Sequence, residues 1–337
     1  MAKIKPNRRQ AWRRQKIESE RSARESKMAQ LGEEVTLTSE LGPEQTGRIV
    51  SHYGANFSVR DAQGSYHLCL SRRNLPKLVC GDYVTWQAVG ETEGVIVGLQ
   101  PRQSLLARPG YHHQLKPIAA NIDQILVVIA PQPSIDEDLI NRYLVAATLT
   151  GIAPLIVLNK VDLLERNELL AIQQRLQIYV QLGYQLIHAS TQANHGLKEL
   201  ISVLEHKTSI FVGQSGVGKS SLIKAILPDT SVRIGALSHA TGLGKHTTTV
   251  STLYPIAHNG AIIDSPGIRE FGLAQFEPAQ IAQGFVEFQP LIEQCKFNDC
   301  SHHAEPGCAV HHGVNSGAIQ RSRYDSFIRL VDSAQRR

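Results

Sequence analysis

The strongest chemical signal in this 337-residue chain is a glycine-rich run that ends in a lysine and serines. Gly213-Gln214-Ser215-Gly216-Val217-Gly218-Lys219-Ser220 matches G-x-x-x-x-G-K-[ST], follows the apolar run 210–212 and precedes a helix-like stretch from Ser221. Its glycines would let backbone N–H groups close around phosphates at a helix N-terminus, whose dipole favours anions. We therefore predict a phosphate loop over 213–221, with Lys219 on the β- and γ-phosphates and the Ser220 hydroxyl on Mg²⁺. A chance match is the alternative, and the flanking elements argue against it.

A second motif, Asn159-Lys160-Val161-Asp162, stands at the end of the apolar run 155–158, where ligands bind in α/β sheets. In Asn-Lys-x-Asp, the guanine reader of GTPases, the Asp162 carboxylate would accept hydrogen bonds from N1–H and the exocyclic amine. Adenine lacks this donor pair, and an unpaired carboxylate is penalised, so discrimination can reach about 10⁴–10⁵-fold. Asn159 would support the loop and contact the base, and Lys160 would lie along it. Four residues alone are a weak signal, which the phosphate loop strengthens.

A further guanine contact usually comes from a Ser-Ala-x loop after the next strand. Here that loop reads His188-Ala189-Ser190. We expect the Ala189 N–H to bind the guanine oxygen, with His188 in place of the usual serine.

The order of the motifs is unusual, because the base motif begins 54 residues before Gly213. Most GTPases have the phosphate loop first. The γ-phosphate sensor, Asp264-Ser265-Pro266-Gly267, comes last and matches D-x-x-G. This order indicates a circular permutation, which is tolerated where native termini lie close together. The sensor then lies directly beside whatever follows it in the chain.

The segment 242–249 is rich in glycine and ends in three threonines, as expected of a first switch loop. We predict that Thr248 completes the Mg²⁺ shell, with Thr247 and Thr249 as alternatives. Ile268 stands where many GTPases place a water-orienting glutamine. His246 is the nearby candidate to orient or deprotonate water, since imidazole titrates near neutral pH. The alternative is that His246 only stacks or hydrogen-bonds within the switch.

Three cysteines and a histidine cluster near the C-terminus as Cys295-x₄-Cys300-x-His302-x₅-Cys308. Cys₃His is a common structural zinc set, so we predict one tetrahedral Zn²⁺. Metal would then contribute directly to the folding of this short segment. His303, His311 and His312 are substitute ligands, and three free thiols in a small helical tail are the alternative.

The elements that must position these motifs fall into distinct regions. Residues 34–105 read as five or six short strands separated by turns, which favours an oligonucleotide-binding (OB) barrel over another small β-barrel. From about residue 118, short apolar strands alternate with helical patterns, as in a parallel α/β sheet. We predict a basic flexible arm (1–33), an OB domain (34–105), a circularly permuted GTPase domain (106–272) and a small helical zinc-binding domain (273–337).

Charge and composition limit the function classes. Residues 1–30 carry a net charge of +7 and the remainder −2, so the arm either binds nucleic acid or keeps the chain soluble. The apolar runs are far shorter than the about 20 residues of a membrane span, and no secretory signal is visible. Cysteines clustered with histidines suit a reducing compartment, so we expect a cytoplasmic protein.

Taken together, these residues resemble the RsgA (YjeQ) family of circularly permuted GTPases. The resemblance covers nearly the whole chain and adds 120–123 and 142–144 to the motifs above; Lys245, where arginine is usual, departs from it. It implies GTP hydrolysis stimulated by the small (30S) ribosomal subunit, late in that subunit's maturation. It also implies ribosomal RNA contacts from the OB and zinc domains, and a hydrophobic residue, here Ile268, replacing the catalytic glutamine. We expect a monomer that binds the subunit with GTP and leaves after hydrolysis. The rival hypotheses are an ATP-using protein and an RNA-binding scaffold with little turnover.

Overall fold

The computed structural model describes residues 41–54, 56–109, 115–227, 251–265, 273, 275–303 and 305–335. The chain divides into two compact units, one ending at Arg102 and the other beginning at Gln103. Several predicted features lie outside the described residues, namely the arm 1–33, His246, Thr247, Thr248, Thr249, Gly267 and Ile268. The domain boundaries drawn from the sequence remain predictions.

The first unit is a five-stranded barrel. Its strands are β1 (Glu44–Tyr53), β2 (Asn56–Asp61), β3 (Tyr66–Ser71), β4 (Tyr83–Ala88) and β5 (Glu93–Leu99). Hydrogen bonds join them in the order β1-β2-β3-β5-β4, and β4 pairs back with β1 and closes the barrel. Only the β3–β5 pair is parallel among these pairings. The predicted OB-type barrel is confirmed.

Trp86 fills the interior of the barrel, and a buried ion pair joins two segments of the barrel. Trp86 is 1% exposed, and a Cβ on Gly94 would stand 2.6 Å from its ring, so glycine is required there. The fully buried Asp82 carboxylate accepts the Val79 N–H at 2.8 Å and two guanidinium hydrogen bonds from Arg102 at 2.7 and 2.8 Å. These contacts tie the segment after β5 to the start of β4.

The second unit opens with a hairpin and continues as a twisted, mostly parallel sheet. The hairpin joins β6 (Leu105–Pro109) to β7 (Leu115–Ala120). The sheet order is β10-β9-β8-β11-β13-β12, with antiparallel β12 beside β13. Its strands are β8 (Gln124–Ile129), β9 (Ala153–Leu158), β10 (Gln185–His188), β11 (Thr208–Val212), β12 (Thr252–Pro255) and β13 (Ala261–Asp264).

Four helices cover this sheet: α1 (Glu137–Leu149), α2 (Arg166–Gln181), α3 (Leu197–Leu204) and α4 (Lys219–Ile226). Every residue of β8 and β11 is buried, as expected for parallel strands covered on both faces. Helix α1 begins where the Asp136 carboxylate accepts the Leu139 N–H at 3.1 Å, a standard N-cap. The α/β class predicted from the alternating pattern is confirmed.

Residues 275–335, here called the C-terminal module, are helical. They contain α5 (Pro278–Gln283), α6 (Gln289–Ile292), α7 (Ala309–Ser316) and α8 (Arg321–Gln335). Phe285, Phe288 and Phe327 form an aromatic core with ring centroids 5.0–5.7 Å apart. Among the helices of the described residues, none combines the length and apolar character that a membrane crossing requires.

Candidate nucleotide site and metal centre

The phosphate loop 213–221 runs from the end of β11 into helix α4. Gly213, Gly216 and Gly218 have φ angles of 137°, 88° and 93°, which side chains rarely adopt. A Cβ on Gly213 would also collide with the carbonyl oxygen of Val128. The Lys219 ammonium donates to the carbonyl oxygens of Gly213 and Gln214 at 2.8 and 2.6 Å. The loop therefore curls around its own lysine, and Ser220 and Ser221 lie exposed in the first turn of α4.

The base motif lies against this loop, at the end of β9. The Asn159 amide donates to the Val217 carbonyl oxygen at 2.8 Å, and the Lys160 ammonium donates to that of Gly216 at 2.6 Å. Lys160 also donates to the Gln132 carbonyl oxygen at 3.0 Å. The fold thus brings together two motifs that begin 54 residues apart in the chain. Asn159 is 1% exposed, and its Oδ1 has no hydrogen-bond partner among the described residues.

Asp162, the predicted guanine-reading carboxylate, has a hydrogen-bond partner that the sequence analysis did not name. Asp162 is exposed on a short 3₁₀ turn, Val161–Leu163, and the Ser190 hydroxyl donates to its Oδ1. The Ser190 hydroxyl also accepts the Ala193 N–H at 3.0 Å. Ser190 therefore orients Asp162, a role that the sequence analysis did not assign.

The prediction for Ala189 was wrong. Its N–H donates to the Leu158 carbonyl oxygen at 2.8 Å, which extends the β9–β10 pairing and leaves no donor for a guanine oxygen. The Ser190 N–H is bound to His195 at 3.0 Å. The next N–H, that of Thr191, becomes the candidate. The signal was present in the sequence as a serine two positions beyond His188.

Asp264, the predicted γ-phosphate sensor, ends β13, the neighbour of β11. Burial raises its pKa, and the positive charge of Lys219 acts in the opposite direction. Asp264 and Lys219 therefore belong to one electrostatic site at the carboxyl ends of adjacent strands. The Ser220 hydroxyl and the Asp264 carboxylate supply the oxygen donors that Mg²⁺ prefers, so the residues present fit a phosphate-bound Mg²⁺.

The C-terminal module brings the predicted metal ligands together. One ligand atom from each of Cys295, Cys300, His302 and Cys308 lies within 4.8 Å of all the others. His302 Nδ1 is 3.6 Å from both the Cys295 and the Cys308 sulfur. Tetrahedral zinc with ligands at about 2.0–2.3 Å would separate them by about 3.4–3.8 Å, so the set fits Zn²⁺.

The surroundings act on the four ligands in different directions: burial raises the pKa of Cys300 to about 12, whereas two backbone N–H groups donate to other ligand sulfurs. Burial lowers the pKa of His302, which favours the neutral imidazole that a metal requires. The Ala309 N–H donates to the Cys295 sulfur at 3.4 Å, and the His311 N–H to the Cys308 sulfur at 3.5 Å. Such donors stabilise thiolates, so the closed Cys₃His set suits a structural ion.

Comparison with known proteins agrees with this geometry. The family model described as RsgA GTPase matches residues 99–274. The small ribosomal subunit biogenesis GTPase RsgA of Ectopseudomonas mendocina is 45% identical over 99% of this chain and 98% of its own. The protein of the same name from Hahella chejuensis is 48% identical, over 99% and 97% respectively.

Two solved structures share the fold. YjeQ from Thermotoga maritima aligns with a TM-score of 0.73 and 31% identity, over 88% of this chain and 100% of that chain. YloQ, titled a circularly permuted GTPase, aligns with a TM-score of 0.70 and 27% identity, over 87% and 96%.

Proposed function

This chain belongs to the RsgA family of GTPases, and we propose that it hydrolyses GTP to GDP and phosphate while assisting maturation of the small (30S) ribosomal subunit. The observation that carries the proposal is the joined nucleotide site, in which Lys160 and Asn159 bind the phosphate loop. The subunit is proposed because full-length relatives are named for its biogenesis.

In the proposed reaction, each residue of the site has a defined task. Asp162, held by Ser190, reads guanine, and the Thr191 N–H binds the guanine oxygen. Lys219 and the N–H groups of the phosphate loop hold the β- and γ-phosphates. Ser220 and Thr248 would hold Mg²⁺, which would neutralise charge on the phosphates.

The attacking water needs a residue other than glutamine, because Ile268 is aliphatic. We propose His246 for this role, since an imidazole can orient or deprotonate water near neutral pH. Asp264 and Gly267 would sense the γ-phosphate.

We propose that the chain binds the subunit through contacts with ribosomal RNA. The OB-type barrel supports this, as do the basic arm and the five arginines against two aspartates of residues 311–337. We propose that the cytoplasmic monomer binds the immature subunit with GTP, is stimulated by it and leaves after hydrolysis.

The deciding experiment measures phosphate release from GTP with and without purified small subunits. The wild-type chain should be stimulated by subunits, and excess ATP should not compete. Lys219→Ala should abolish turnover, whereas Lys224→Ala, an exposed lysine of the same helix, should leave it unchanged.

Each rival hypothesis gives a different result. Equal competition by ATP and GTP would establish an ATP-using protein instead. Tight GTP binding with no turnover, with or without subunits, would establish a nucleotide-sensing scaffold.

A further inference from the structure

A buried arginine links the C-terminal module to the first helix of the sheet. Arg323 on α8 is 1% exposed, and it donates to both carboxylate oxygens of Glu287 at 2.6 and 3.0 Å. Its third hydrogen bond goes to the side-chain oxygen of Asn141 on α1. Burial alone would lower the pKa of Arg323, but Glu287 holds it above its usual value. The guanidinium is therefore a charged, three-way connection.

Helix α1 carries this connection to the phosphate loop. Asn141 and Tyr143 are two residues apart, so they project from nearly opposite sides of the helix. Tyr143 is 2% exposed and lines one small cavity together with Gly213, Gln214 and Val217 of the phosphate loop. Burial raises the pKa of Tyr143, and the nearby backbone N–H of Gly213 acts to lower it. Helix α1 thus lies between Arg323 and the first glycine of the phosphate loop.

The residue after Arg323 on α8, Tyr324, contacts the metal cluster. The Tyr324 hydroxyl donates to the carbonyl oxygen of the ligand His302 at 2.9 Å and lies 2.7 Å from His311 Nε2. Consecutive residues of α8 therefore contact α1 and the Cys₃His cluster. Both residues are buried, so buried contacts connect the Cys₃His cluster to α1.

The geometry points to Arg323 as a positioning residue for nucleotide binding: it fixes α1, and through Tyr143 it fixes the phosphate loop. This inference rests on the proposed guanine-nucleotide site. Stability alone does not account for the pair, because well-packed hydrophobic residues often replace a buried ion pair without loss. A planar fork that must satisfy Glu287 and Asn141 at once imposes a specific geometry.

The test substitutes Arg323 and Asn141 in separate variants and measures the rate at which each variant releases fluorescent mant-GDP. Arg323→Lys keeps the charge but loses the fork. Asn141→Ala keeps the Arg323–Glu287 pair but removes the α1 acceptor that Arg323 shares with the Tyr179 hydroxyl, so Tyr179→Phe measures the loss of that second hydrogen bond alone. We expect Arg323→Lys and Asn141→Ala each to speed release about fivefold or more. The matched control is Arg321→Lys, an exposed arginine of the same helix paired with Asp325, which should stay within about twofold of wild type.

A double-mutant cycle with Tyr143→Phe separates positioning from stability. If Arg323 acts through Tyr143, the combined variant should release nucleotide no faster than the stronger single one. Unchanged release in the folded variants, or effects that simply add to that of Tyr143→Phe, would overturn the inference. Thermal unfolding verifies folding, and Asn141→Ala decides if Arg323→Lys does not fold. A wild-type chain that binds no guanine nucleotide would refute the proposed function instead.

Discussion

Replacing Ser190 by alanine tests whether this serine sets the base-reading carboxylate. The substitution removes the hydroxyl that donates to Asp162 and accepts the Ala193 N–H. A hydrogen bond to a charged group contributes about 1.5–3 kcal/mol. Because Asp162 is exposed, the lower value applies. It corresponds to about a tenfold loss of GDP affinity.

The assay is competition of mant-GDP by GDP and by IDP, whose base lacks the exocyclic amine. IDP can give Asp162 only one of the two hydrogen bonds, so a misplaced carboxylate should weaken GDP more than IDP. We expect the GDP preference over IDP to shrink in Ser190→Ala and to persist in Ser202→Ala, an exposed serine on α3. If Ser190→Ala keeps both the affinity and the preference, Ser190 does not orient Asp162.

Three further predictions concern stability and metal content. Cys300→Ser should lose the bound zinc in elemental analysis and melt at a lower temperature; wild-type zinc content would contradict the ligand set. Arg102→Met leaves the buried carboxylate of Asp82 without its partner, and we expect urea unfolding to show a loss of about 3–5 kcal/mol. A loss below about 1 kcal/mol would argue against a stabilising role for the Arg102–Asp82 ion pair. Burial raises the pKa of Asp61, but the hydrogen bond from His67 and neighbouring backbone N–H groups hold it below its usual value. The resulting stability is present above about pH 4, the unfolded-state pKa, and is lost as the pH falls through the folded-state pKa. Asp61→Asn should not show this loss of stability when the free energy of unfolding is measured across that pH range. An acid profile identical to that of the wild type would refute the assignment.

Local sequence patterns were sufficient for the elements that carry the site. The apolar runs 155–158 and 210–212 form the buried C-terminal parts of β9 and β11, and each motif begins directly after its strand. The hairpin of β6 and β7 was missed, because Pro109 and Pro117 interrupt the strand pattern there. Proline lacks a backbone N–H, but it is tolerated in this two-stranded sheet because both strands are edge strands.

The error at Ala189 has a different origin. The Ser-Ala-x pattern was aligned two residues too early, because an alternating run does not show where strand pairing stops. Pairing in fact extends through the Ala189 N–H, and the loop proper starts at Ser190. Contacts such as Arg323 to Asn141, which join positions 182 residues apart, leave no local pattern that sequence reasoning could detect.

The permutation gives the C-terminal module two routes to the nucleotide site. One route is covalent, since the chain leaving the sensor at Asp264 continues directly into the module. The other is through packing, since α8 near the end of the chain lies against α1 near the start of the sheet unit, through Arg323 and the exposed Arg329–Asp138 pair. In the usual motif order, further GTPase elements would follow the sensor and separate it from such a module. If Arg323 positions α1 as proposed, a partner that shifts the Cys₃His cluster would act on Asp264 and on the phosphate loop together.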